Sequence, residues 1–395
     1  MKYRNAKDIL PLELVEALQD YIQGSYLYIP KRENESSKCD KQTSYKIELE
    51  KRDRHIYTKY LEGWDNQKIA IIYHLSESSI RRIILKQRQQ YERIRIKMND
   101  IIKLWKIDQG EMNQIYDSAW DISGRYVLKV YNNLSELERN IQTLKVLHEM
   151  KIPVAEIVCL DNGEEYVYDD NHYYILTRKL SGSNIVNIIE DKTIAYKMGE
   201  IIGDLHIAFQ KCESKLIFWN NSLLSEMNGW VKEELYKSEW TLVEESEFIE
   251  SVERLGDLYE KLPTQLIHRD IHFGNFLFNK GNFSGYIDFD LSQRNIRIFD
   301  ICYFMLGLLV EEEGNIMNKE EWLKILFKVV SGYESKIKLK DIEKKAFPYV
   351  MENIELLFIA YSIGSNDMSC AKDAAKIFRF VRENENEIWQ RINIA

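Results

Sequence analysis

Residues 266–276 read Leu-Ile-His-Arg-Asp-Ile-His-Phe-Gly-Asn-Phe, which sets Asp270 and Asn275 five positions apart between two apolar runs. A second apolar strand then ends on Asp288, and Asp300 follows at the head of a helix. Three oxygen-bearing side chains therefore leave what reads as one hairpin. Phosphoryl transfer asks little covalent help of a protein. It needs one carboxylate to orient and deprotonate the attacking hydroxyl, and oxygen ligands that hold Mg2+ on the phosphates. Asp270 fits the first role; Asn275 and Asp288 fit the second. Asp and Asn are also common at turns for local hydrogen-bond reasons, but a turn needs neither Asp288 nor Asp300 at these offsets.

The order His268-x-Asp270-x4-Asn275, then an apolar strand and Asp288, resembles protein kinases and the aminoglycoside phosphotransferase and choline kinase group. Two departures favour the second group: Asp288-Phe289-Asp290 lacks the Gly of D-F-G, and Asp300 leaves little room for a peptide-docking segment. His272, Gly274 and Asn275 resemble the His-x-Gly-Asn of the aminoglycoside phosphotransferase loop. The resemblance covers about residues 100–385. It implies an α+β, bilobal protein-kinase-like fold, ATP or GTP with Mg2+ as cofactors, and transfer to a hydroxyl of an aminoglycoside-like or other amino or polyol acceptor.

The elements that would position these groups follow from pattern. Residues 109–116 lead into a strand and Gly124 turns into Arg125–Tyr131, two strands around a turn with Lys129 on the second. Lys129 is placed to reach the α- and β-phosphates, and Gly110 with Asn113 resembles the family's phosphate loop. Lys129 could also be a stem packed on the sheet with its ammonium in water. Ser135 and Glu138 form a capping box for a helix bearing Leu137, Ile141 and Leu144. In the family this helix pairs a Glu with the strand Lys, but the matching position here is Asn140. Glu136 or Glu138 could substitute, Asn140 could make a neutral hydrogen bond, or Lys129 could be less well fixed. Tyr173–Arg178 reads as the last strand before a hinge at 179–182. Helices dominate from Thr193, and His206 reads as a packed helix residue rather than a catalyst.

The amino-terminal part has a different character. Pro11–Ile22 reads as a helix and Tyr26 and Tyr28 as a short strand; from Ile47 the pattern is helical again. A short helix near 67–73, then Ser76 capping a helix with Arg81, Arg82, Lys86 and Arg88, makes a helix-turn-helix candidate. Residues 3–92 resemble the helix-turn-helix end of the Mor transcription-activator family, which implies duplex DNA contact through residues 47–97; a helical bundle used for a homodimer is the alternative.

The chain has 395 residues, enough for two or three domains, and a net charge of −9. Residues 1–97 hold 20 Lys and Arg against 14 Asp and Glu, about +6, and the rest holds 34 against 49, about −15. The five Cys show no C-x-x-C spacing, as expected of thiols in a reducing compartment. The longest apolar run, Ile301–Val310, is about half of what a bilayer requires. The expected protein is cytoplasmic, without a membrane partner. Its expected organisation is a small, mostly helical helix-turn-helix domain over 1–97, a sheet lobe over 98–182, and a helical lobe over 183–395. A ligand-sensing transcriptional regulator with a kinase-like sensor is the alternative function.

Overall fold

The computed structural model describes residues 52–73, 75–107, 110–116, 118–184, 192–216, 218, 220–309 and 316–395. A boundary between two compact units falls between Lys97 and Met98. The helix read over 11–22 and the strand at Tyr26 and Tyr28 lie outside the described residues.

Residues 52–61 are helical (α1), followed by α2 (Asn66–Ile72) and α3 (Glu77–Lys103), which begins in the first unit and ends past the boundary. Asp65 accepts the Lys68 N–H at 2.8 Å, and Ser76 Oγ accepts the Ser79 N–H at 3.2 Å. A short polar side chain therefore starts each helix by satisfying one of its orphan donors. Ile56, Ile69, Ile80, Ile83 and Ile84 close the small core, while Arg81, Arg82, Lys86 and Arg88 are exposed.

The second unit opens with one antiparallel sheet, β1 (Met112–Tyr116), β2 (Ala119–Ile122), β3 (Tyr126–Tyr131), β4 (Tyr166–Asp169) and β5 (His172–Arg178), in the order β1-β2-β3-β5-β4. The two-strand expectation is corrected here, because β2 lies between β1 and β3. It has four residues, three of them buried, so no alternation betrays it. Helix α4 (Leu134–Glu149) lays Leu137 and Ile141 against Tyr131 and Ile175 of the sheet. Its cap is Asn133, which accepts the Ser135 N–H at 2.9 Å, so the helix begins before the predicted Ser135.

Beyond the hinge the chain is largely helical: α5 (Lys192–Cys212), α6 (Leu223–Glu226), α7 (Lys232–Lys237), α8 (Glu245–Tyr259), α9 (Phe299–Gly307), α10 (Lys319–Glu334), α11 (Asp341–Gly364), α12 (Met368–Glu383) and α13 (Glu385–Asn393). Between α8 and α9 lie two short antiparallel ladders, β6 (Thr264–Ile267) with β9 (Gln293–Ile296) and β7 (Phe276–Asn279) with β8 (Asn282–Tyr286). The helices close on one apolar core that includes Leu205, Phe209, Leu266, Ile267, Phe299 and Val330. Where α5 crosses α10 the backbones touch. A Cβ on Gly199 would stand 2.0 Å from the Val329 carbonyl oxygen, and one on Gly332 2.0 Å from that of Tyr196. Only glycine fits such a crossing.

Candidate active site

Strand β6 delivers the chain into the loop 268–272, and Asp300 at the head of α9 holds that loop by its backbone. The Asp300 carboxylate accepts the His268 N–H at 2.9 Å and the Arg269 N–H at 2.8 Å. Arg269 has φ 69, a left-handed conformation that costs a bulky residue about 1–2 kcal/mol. Its guanidinium reaches Glu226 of α6 at 2.8 and 3.0 Å, a second anchor for the same residue. Asp300 is fully buried, and His206 Nε2 on α5 lies 3.0 Å from its Oδ2. Tyr333 OH lies 2.9 Å from His206 Nδ1. The arrangement that satisfies all three has Nε2–H donating to Asp300 and the Tyr333 hydroxyl donating to Nδ1.

So held, the loop presents Asp270. Tyr303 OH donates to Asp270 Oδ1 at 2.9 Å, Asn275 Nδ2 donates to Oδ2 at 3.0 Å, and His272 Nε2 lies 3.5 Å from Oδ2. Burial works against the charge on Asp270, but the hydrogen bond and charge of His272, with the Tyr303 bond, outweigh it and hold the carboxyl at about 2. His272 gains from the same contact, which raises its pKa above the ordinary value against the effect of burial. Behind them His268 is buried, which pushes its pKa down in spite of Asp300 and Asp270, and its Nε2 donates to the Ile287 carbonyl at 3.2 Å. A neutral His268 and an ionised Asp270 are the states this packing favours.

Asn275 spends its amide nitrogen on Asp270, which leaves Oδ1 without a donor among the described residues. Its backbone carbonyl accepts the Ile287 N–H at 3.1 Å, tying it to the residue before Asp288. Asp288 has φ 63 and an exposed carboxylate whose Oδ1 meets Lys129 Nζ at 2.8 Å. An amide oxygen and a carboxylate are hard ligands suited to Mg2+, which keeps waters and phosphate oxygens in its remaining positions. The described residues hold no cluster of three or more His, Cys, Asp or Glu that could cage a metal by themselves. Lys129 Nζ also meets Asp290 Oδ2 at 2.6 Å. Burial favours the neutral amine, but Asp290 and then Asp288 outweigh it and raise its pKa.

The structure thus brings Lys129, Asp270, Asn275 and Asp288 to one place from segments 159 residues apart. It does not bring Gly110 and Asn113 there. Asn113 lies on β1 opposite Asp121, and a Cβ on Gly110 would stand 1.7 Å from Ser123 Oγ, beside the β2–β3 turn. The turn joining β1 to β2 is nearer, because Ala119 pairs with Lys129. Sequence reasoning missed Tyr131, Tyr303 and Asp290. Each is a tyrosine or aspartate in an apolar segment, and what marks it is a partner far away in the chain. Asn140 donates to Tyr131 OH and to the Asp290 carboxylate, and the carboxylates that meet Lys129 are Asp288 and Asp290 rather than one on α4.

Residues 106–322 match the model of the phosphotransferase enzyme family. Over 84 residues, 21% of this chain and 97% of the other, the sequence is 31% identical to the uncharacterized protein YraL of Bacillus subtilis (strain 168). Over 97 residues, 25% of this chain and 28% of the other, it is 30% identical to a homoserine kinase of Phenylobacterium zucineum (strain HLK1). Among solved structures, the amicoumacin kinase hAmiN, in complex with AMP-PNP, Ca2+ and Ami, superposes with a TM-score of 0.56 at 16% identity, over 75% of this chain and 93% of that one. The described residues contain no helix long and apolar enough to cross a membrane.

Proposed function

The chain belongs to the phosphotransferase enzyme family, and on that premise we propose that it transfers the γ-phosphoryl group of ATP to a hydroxyl of a small molecule, with Mg2+ on the phosphates. One observation carries this reading: an ionised Asp270, oriented by Tyr303 and Asn275, shares the site with two oxygen ligands, Asn275 Oδ1 and the Asp288 carboxylate, and with the ammonium of Lys129. Asp270 accepts the hydroxyl proton as the acceptor oxygen bonds to the γ-phosphorus and the bridging P–O bond to ADP breaks. A carboxyl held at about 2 is a weak base, so its chief work is to orient the hydroxyl and to take the proton late in the step. Asn275 Oδ1 and Asp288 would hold Mg2+, which when bound neutralises charge on the phosphates. Lys129 adds a positive charge on the same phosphates.

An amino alcohol or aminoglycoside-like acceptor is supported by the charge of about −15 over residues 98–395, which attracts cations. The test is phosphate release and acceptor phosphorylation by the purified chain, with Mg-ATP and a panel of aminoglycosides, amino alcohols, homoserine and polyols. Absence of nucleotide binding in the full chain would sink the reading. For residues 47–97, of which 52–97 are described except residue 74, the four exposed cations of α3 support contact with duplex DNA. Binding should weaken steeply between low and high salt, and again when Arg81 and Arg82 become Ala. Salt-independent affinity would favour the homodimer.

A further inference from the structure

The carboxylate that Lys129 lacks on α4 stands elsewhere. Asn140, 8% exposed, donates through Nδ2 to Asp290 Oδ1 at 2.6 Å and to Tyr131 OH at 2.5 Å. Tyr131 OH in turn donates to the same Asp290 oxygen at 2.8 Å, and Asp290 Oδ2 meets Lys129 Nζ at 2.6 Å. Each group has one consistent role. A carboxylate oxygen can only accept, so the amide of Asn140 must face it with its nitrogen, and its two hydrogens suit two acceptors. Asp288 makes only the Lys129 contact among the described residues, and its side chain is 46% exposed against 32% for Asp290. A Glu at position 140 would aim a second negative charge at Asp290, whereas Asn answers it with a donor.

We propose that Asp290 is the positioning residue for Lys129: it fixes the ammonium for the nucleotide phosphates while Asn140 and Tyr131 fix it, so that Asp288, which meets the same ammonium at 2.8 Å, can exchange it for Mg2+. The inference rests on the proposed role of Lys129 at the phosphates. Three residues meet at one point: Asn140 on α4, Asp290 after Phe289, and Tyr131 two residues after Lys129. A Glu at 140 is one methylene longer than Asn140, so its carboxylate would reach the place where Asp290 stands. That makes the arrangement reversible by design.

The test uses the full chain and four proteins: parent, Asp290→Asn, Asp290→Gly, and Asp290→Gly with Asn140→Glu. Two quantities are read. One is the affinity for Mg2+ with a non-hydrolysable ATP analogue, by calorimetry. The other is the rate of Lys129 acetylation by acetic anhydride without nucleotide, by mass spectrometry. Loss of the anchor should weaken analogue binding about 10- to 100-fold in both single variants, the range for a charge-assisted hydrogen bond. It should also speed acetylation, and the double variant should restore both towards the parent. A fold defect alone would not be rescued by moving a carboxylate to position 140. Parent-like binding and acetylation in folded Asp290→Asn would overturn the proposal, as would a double variant no better than Asp290→Gly. If the parent itself bound no analogue, the phosphotransferase reading would fall, while the acetylation rates would still decide whether Asp290 holds Lys129.

Discussion

Asp300 and Asp290 each hold one side of the site, and they do so in different surroundings. Asp300, fully buried, takes two backbone N–H groups and His206 from its own lobe. Asp290 takes Asn140, Tyr131 and Lys129 from the other lobe, and about a third of its side chain meets solvent. Water reaches the Lys129–Asp290 pair in part and screens it, whereas removing one partner of a fully buried charge network costs about 3–5 kcal/mol. The loop that carries Asp270 is therefore set by folding, and the Lys129 ammonium is set by contacts that a ligand can rearrange. On the proposed roles, rigidity falls where the proton would move and adaptability where the nucleotide would enter.

The sharpest way to break that contrast is Asp270→Asn. It keeps the shape and removes the charge, so kcat should fall on the order of 100- to 10,000-fold while Mg-ATP affinity by calorimetry stays close to the parent. A variant that turned over normally would deny Asp270 its role. Next, Asp300→Ala should destabilise the chain by about 3–5 kcal/mol in denaturant titration, because two backbone donors and His206 lose their acceptor. A loss below about 1 kcal/mol would mean that the loop is not held as described. Asp288→Ala should weaken Mg-nucleotide affinity roughly tenfold or more and lower turnover with it. Parent-like affinity there would move the metal away from Asp288.

The smallest effect concerns a weak point on the rigid side. Glu355 of α11 is 4% exposed and has no hydrogen-bond or ion-pair partner among the described residues, and burial pushes its carboxyl up to about 8. The folded chain then keeps a proton that the unfolded chain loses above its ordinary pKa of 4.5. Stability from this group is undiminished below 4.5 and declines as pH rises towards 8, by at most about 1.4 kcal/mol per pH unit. Glu355→Gln should therefore raise the melting temperature at pH 8.5 and leave it nearly unchanged at pH 4.5. Equal shifts at both values would show that Glu355 does not hold its proton.

That Asp270, Asn275, Asp288 and Lys129 come together was legible because each stands out within an apolar pattern, and local spacing survives in one dimension. The strand β5 and the helices after the hinge were legible for the same reason. Asp290 was not, since in the sequence it looks like the loss of a Gly. Its meaning depends on Asn140 and Tyr131, which are 150 and 159 residues away. Gly110 and Asn113 were singled out by resemblance alone; Asn113 falls within β1, opposite Asp121, while Ala119 of β2 is the residue paired with Lys129. Strand β2 escaped notice because four residues with three of them buried have no readable period.

The left-handed turn at Asp288 has a consequence for how this chain could change over generations. With φ 63, the position suits glycine best and aspartate better than most residues that carry a Cβ, and on the proposed role aspartate also supplies the oxygens. A glycine at 288 would relax the backbone as it discards the ligand, whereas alanine would discard the ligand and keep the strain. Asp288→Gly should thus melt above Asp288→Ala, with nucleotide binding weakened alike in both. Were selection for catalysis lifted, drift to Gly at this position would meet little resistance from stability.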